Sequence, residues 1–102
     1  MTEFPDLAAF EQCRGDEFRL RPDEGESVPL VLDQVTALGD GRPRPGLARQ
    51  EPFSLLFRGP PGFAAPQRIW PLEHDRLGEL RIFLVPVGQD QEGRMRFEAI
   101  FN

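Results

Sequence analysis

The single histidine of the chain lies between two carboxylates, in Glu73-His74-Asp75. A general acid–base pair uses this chemistry, because a nearby carboxylate orients an imidazole and favours its protonated form. In an extended segment, however, successive side chains point to opposite faces, so Glu73 and Asp75 flank His74 without meeting it. Asp75 reads better as opening a turn and capping local backbone N–H groups. No second histidine or activated nucleophile completes a set. Ser54 has no Gly-x-Ser-x-Gly elbow around it and reads as a hydroxyl on a sheet surface. Cys13 falls on the apolar face of a short helix, where a cysteine behaves as a small hydrophobe. No catalytic residue is assigned.

The other chemistry-bearing patterns are equally incomplete. Gly39-x-Gly41 lacks the lysine, serine and helix of a phosphate cradle, and Gly59-Pro60-Pro61-Gly62 has too much proline to present successive N–H groups. Asp23-Glu24-Gly25-Glu26 lacks the ligand alternation of a calcium loop and reads as a solvated turn. One cysteine and one histidine exclude a cysteine-based zinc site. Neither a metal nor a cofactor is expected. Arg42, Arg44 and Arg49 form a basic island, but residues 39–50 contain no aromatic side chain on which a base could stack. A solvated loop or a docking element for an acidic partner is the reading there.

The elements that must position these residues are mostly strands. Residues 5–14 read as a helix, with Pro5 in its first turn, Leu7, Phe10 and Cys13 on one face, and Gly15 as the stop. From Asp16 the period becomes two. Phe18 and Leu20 alternate with Glu17, Arg19 and Arg21, and Val28, Leu30 and Leu32 share one face of the next strand. The phase then slips to Val35 and Ala37, which predicts a β-bulge near Asp33-Gln34. Residues 39–50 predict a mobile Gly/Pro/Arg loop. Phe53, Leu55 and Phe57 face one way and Leu56 the other, until Gly59-Pro60-Pro61-Gly62 breaks that third strand. Residues 67–73 form a fourth strand, and Pro71 argues for an edge position. The fifth, Leu80 to Val87, becomes apolar on both faces, so both must be covered. The last places Met95, Phe97, Ala99 and Phe101 inward and Arg94, Arg96 and Glu98 outward, with Ile100 breaking the polar face. The expected fold is mainly β: a small six-stranded antiparallel barrel or roll, one domain over 1–102, with one short N-terminal helix.

Bulk properties narrow the function classes. The 102 residues provide for one modest core. Ten glycines and eleven prolines oppose long helices. A formal net charge of −5 argues against a nucleic-acid partner, whose phosphates favour a positive field. No apolar run approaches the ~18 residues that cross a bilayer, so no membrane association is expected. The acidic start, Met1 to Asp6, lacks the basic and apolar regions of a secretory signal. With the lone cysteine, this leads to the expectation of a reducing cytoplasm.

The order of motifs resembles an uncharacterised family of small bacterial domains, a domain of unknown function of the DUF6916 kind. The resemblance rests on Phe10-Glu11 and Gly15 ahead of Glu17-Phe18-Arg19, on Phe53-Ser54-Leu55-Leu56-Phe57-Arg58-Gly59-Pro60, and on Pro66-Gln67 with Leu72-Glu73-His74. It continues through Leu77-Gly78, Phe83-Leu84-Val85-Pro86-Val87-Gly88 and Phe97-Glu98-Ala99-Ile100-Phe101-Asn102. It spans nearly the whole chain. Trp70 departs from it, standing where a smaller aromatic or a tyrosine is expected. The resemblance implies no activity; what it implies is company with phage-tail-like collar or fibre proteins.

Two uses of such a domain follow. The first is a non-enzymatic structural or adaptor module, associating with a protein partner or with itself. Its interface would be formed by Phe83, Val85, Val87, Ile100 and Leu56, or by a free edge of the strand from Arg94 to Asn102. If the helix covers the Phe83, Val85, Val87 face, that face is a second small core; if not, it marks an interface. The alternative is a small-ligand-binding barrel lined by Phe53, Phe57, Trp70, Phe97 and Phe101. A narrow six-stranded barrel should instead be filled by its own side chains, so a small ligand is the lesser expectation.

Overall fold

The computed structural model describes residues 4–38 and 52–101. A helix α1 (Leu7–Gln12) precedes six strands: β1 (Glu17–Leu20), β2 (Val28–Ala37), β3 (Phe53–Pro61), β4 (Arg68–His74), β5 (Gly78–Gln89) and β6 (Arg94–Phe101). They close into a barrel in the order β1-β2-β3-β6-β5-β4, with every neighbouring pair antiparallel. The expected mainly-β, six-stranded barrel with one short N-terminal helix is therefore the fold. The loop expected at 39–50 lies outside the described residues.

Alternation along the strands builds the core. Phe18 and Leu20, Leu30 and Leu32, Phe53, Leu55 and Phe57, Trp70 and Leu72, Leu80, Ile82 and Leu84, and Phe97 and Ala99 are all buried. Each strand contributes one face to a common interior. The bulge falls where the phase of the sequence slips, since Leu32 pairs with Phe57 but Gln34 pairs with Leu56. Beyond it Val35 packs on the core, whereas Ala37 is exposed. The aromatic side chains interlock: Phe18 meets Phe57 edge-on at 5.3 Å, and Phe63 lies 6.0 Å from Phe97. Trp70 donates from Nε1 to the Pro66 carbonyl at 3.0 Å and carries the Arg68 guanidinium 4.0 Å above its ring.

The helix is shorter than residues 5–14. Asp6 is its N-cap, accepting from the Ala9 N–H at 3.0 Å, and Cys13 is its C-cap, so Pro5 lies outside the helix. Six helical residues do not hold a helix in isolation. α1 is held by Phe10, which enters one end of the barrel among Phe53 at 5.8 Å, Phe101 at 6.0 Å and Phe18 at 6.4 Å. The helix therefore plugs an end of the barrel.

Three expectations about strands and edges are overturned. Pro71 does not hold β4 at an edge, because β4 pairs with both β5 and β1. Its carbonyl accepts from the Arg21 N–H at 2.9 Å, and a strand residue's N and C=O face the same neighbour. The missing N–H thus faces β1 just past its last residue, where no ladder bond is required. β6 is not a free edge either, since it lies between β3 and β5. Nor do Gly59-Pro60-Pro61 break β3, which continues through them with a register shift between Arg58 and Pro61. Gly59 is buried under Phe63, where a Cβ would come within 3.3 Å of that ring, and Phe63 in turn packs on the core.

Because Phe10 is the buried anchor of α1, Phe10→Ala is expected to destabilise the domain by about 3–5 kcal/mol, the range for truncating a buried phenylalanine. Urea unfolding followed by tryptophan fluorescence measures this, using Trp70 as the probe.

Candidate functional site

The main cluster of titratable side chains sits at the plugged end of the barrel. A cleft of about 520 Å³ there is lined by Asp16, Glu17, Arg19, His74, Asp75 and Arg76. His74 ends β4 and points inward, in phase with Trp70 and Leu72, and is buried against the Phe18 ring at 4.5 Å. Its Nδ1 accepts two backbone N–H groups, from Arg76 at 3.1 Å and Leu77 at 3.2 Å. The ring proton therefore resides on Nε2, which donates to Asp16 Oδ2 at 2.9 Å. One nitrogen ties the β4–β5 turn, and the other ties that turn to the segment leading into β1.

Cys13, Asp16 and His74 bring possible ligand atoms within 4.8 Å of one another. The hydrogen bonds oppose metal binding. The Nε2 lone pair is engaged in an N–H bond, and freeing it would set a proton on Nδ1 against two amide donors. Arg76 already supplies the cation, with its guanidinium 3.2 Å from Asp16 Oδ2 and 3.6 Å from Cys13 Sγ. Burial pushes the Cys13 thiol up, away from the thiolate a metal or a nucleophile needs, and Arg76 offsets only part of this. The His74 bond, with Arg76 behind it, holds the Asp16 carboxyl below its ordinary value. The cluster is a structural clasp.

Glu73 and Asp75 indeed do not meet His74. Glu73 accepts from Arg21 at 3.1 Å and lies 3.6 Å from Arg19, while Asp75 accepts from Arg19 at 3.0 Å. The partner of His74 is Asp16, 58 positions away, and nothing in the local sequence marks it. Ser54 faces outward opposite Ile100.

The second candidate is the outer wall over β4, β5 and β6. Phe83 and Val87 are exposed, Ile100 is 55% exposed, and Val85 and Leu56 are half-buried. Leu56 and Val85 both stand opposite Glu98, from β3 and β5 respectively. Phe83 stands directly opposite Ile69 of β4, itself 54% exposed. Register places Phe83 and Ile100 two residues beyond the Val85–Glu98 pair on the same side. Since α1 plugs the barrel end, it does not cover this wall, so the Phe83, Val85, Val87 face is not a second small core beneath the helix. Ile69 was not among the expected interface residues. Its signal was present: the period of Trp70, Leu72 and His74 turns it outward.

A family model described as a domain of unknown function (DUF6916) matches residues 5–101. No curated protein and no solved structure matches the chain.

The clasp has a pH signature. A carboxyl held below its ordinary value of 3.8 contributes stability that is complete above that value and is lost as pH falls through its lowered folded value. Asp16→Asn should therefore flatten the fall of stability below pH 3.8, as measured by urea unfolding at successive pH values. His74→Ala should cost about 3 kcal/mol at neutral pH, through the cavity and the two amides it orphans.

Proposed function

We propose that this chain, which belongs to the family described as domain of unknown function DUF6916, is a non-enzymatic structural or adaptor module. It associates with a protein partner, or with a second copy, through the outer wall of β4, β5 and β6. The observation that carries this reading is the grouping of Ile69, Phe83, Val87 and Ile100 as exposed large apolar side chains on three neighbouring strands. Scattered apolar residues are ordinary on a surface, but a contiguous apolar strip suits association. Glu98 and Arg81 at its border give such a surface orientation and register. The commitment of both His74 nitrogens to structural hydrogen bonds favours a binding role over catalysis at the one histidine.

The setting we assign is a phage-tail-like or fibre assembly in bacteria, which is the company that the family resemblance brings. A closed barrel suits such stacking, because it offers side chains to a neighbour without exposing a strand edge that would recruit any passing chain. Cys13, buried and unbonded, suits a reducing cytoplasm as the place of assembly.

Sedimentation velocity and co-purification with the products of neighbouring genes test this role. Phe83→Glu combined with Ile100→Glu should abolish association and leave the fold intact, since outward substitutions usually change stability by about 0.5 kcal/mol or less. Persistence of association in that variant, with its loss on deleting residues 41–48, would move the surface to the arginine-rich segment 42–49. A wild-type chain that stays monomeric and captures no neighbour would overturn the role itself.

A further inference from the structure

A different part of the barrel wall carries three arginines. Arg58 of β3 stands directly opposite Arg96 of β6, and Arg94 stands opposite Pro61 just past the register shift. Like charges placed opposite each other on adjacent strands repel. Each of the three Nε atoms is buried and has no hydrogen-bond partner among the described residues. Arg19, Arg21, Arg68 and Arg76 contrast with these. Arg19 and Arg21 bond Asp75 and Glu73, Arg68 grips both oxygens of Asp23, and Arg76 bonds Asp16.

Two carboxylates lie close to the trio without completing it. Asp90 Oδ1 accepts the Glu92 and Arg94 backbone N–H groups, both at 2.9 Å, and its charge also acts on Arg58 and Arg94 without a side-chain hydrogen bond to either among the described residues. Glu92 is 4.0 Å from Arg58 Nη1 and well exposed. Beside them lies a cleft of about 190 Å³, lined by Arg58 and Arg94, by the apolar Pro29, Pro60 and Pro61, and by one carboxylate, Glu17.

Guanidinium forks match the planar or tetrahedral oxygens of carboxylate and phosphate. The size of the cleft admits one compact group, and the net charge of −5 opposes a long polyanion. We infer that Arg58 and Arg94, with Arg96 opposite Arg58 adding positive charge, bind a single compact oxyanion group, a phosphate or a carboxylate, in this cleft on the outer wall of β3 and β6. The bound anion offsets the Arg58–Arg96 repulsion. This inference does not depend on association through the neighbouring apolar strip.

The test uses the full chain and NMR detection of the arginine Nε–H signals. Sodium phosphate and sodium succinate are titrated separately, against sodium chloride at matched ionic strength. Saturable shifts at Arg58 and Arg94 are expected. Saturation by phosphate alone identifies a free phosphate group as the ligand, and saturation by succinate alone identifies a carboxylate such as a partner's acidic side chain. Arg58→Gln with Arg94→Gln should weaken binding at least tenfold, and the milder Arg96→Gln at least threefold without lowering the thermal midpoint. Phe83→Glu with Ile100→Glu should leave anion binding unchanged, which separates this site from the association surface. Shifts no larger than those with chloride, or equal affinity in the arginine variants, would overturn the inference.

Discussion

Closure of the sheet between β1 and β4 is the constraint on which the rest of the structure depends. Among the described residues two strand pairs span that seam, Arg19 with Glu73 and Leu20 with Leu72, and the Arg21 N–H bonds the Pro71 carbonyl just beyond them. Pro71 stops the ladder from extending, and β1 has only four residues to offer. Ion pairs from Arg19 and Arg21 to Glu73 and Asp75 cross the seam on the outside. Exposed pairs of this kind contribute about 0–1 kcal/mol each, whereas a fully buried leucine contributes about 1.5–3 kcal/mol. Leu20 and Leu72, wholly buried beneath the pairs, are therefore the stronger closure.

The plugged end reinforces the same seam. Gly15 and Asp16 extend the β1–β2 pairing through backbone bonds with Leu32 at 2.7 and 3.0 Å. His74, at the end of β4, then joins Asp16 across the seam while its other nitrogen gathers the following turn. A buried imidazole acts here as a hydrogen-bond junction, and Phe18 packs on its face. What looks in isolation like a metal triad or an acid–base pair is a set of groups in which both His74 nitrogens and Asp16 Oδ2 already take part in hydrogen bonds within the fold.

Closing the sheet also decides what kind of surface remains. Closure leaves little unpaired ladder, so the proposed association rests mainly on outward side chains. Two regions of the wall stand out: an apolar strip over β4, β5 and β6, and a basic group on β3 and β6 whose buried Nε atoms lack hydrogen-bond partners among the described residues. Neither is needed for the core, because strand alternation assigns interior and exterior residues independently.

Much of the barrel was legible in the chain order of its side chains. The period-two alternation around Phe18, Leu30, Phe53 and Phe97 marks inward faces, and the phase slip at Asp33 marks the bulge, because register on a half-buried strand is set by which side chains must leave water. Val85 and Phe83 were recognisable as apolar on a face opposite the core for the same reason. Whether that face is covered was not legible. It depends on where six helical residues dock, and Phe10 is directed to the barrel end by three aromatic rings drawn from β1, β3 and β6. Pro71 reads as an edge residue only until the length of its neighbour is known; β1 ends before the missing N–H would be used. The Asp16–His74 bond and the Arg58–Arg96 juxtaposition likewise belong to the tertiary structure alone. Side-chain burial is a local property of a strand's pattern, but which residues from distant segments face one another is set by the register of the closed sheet.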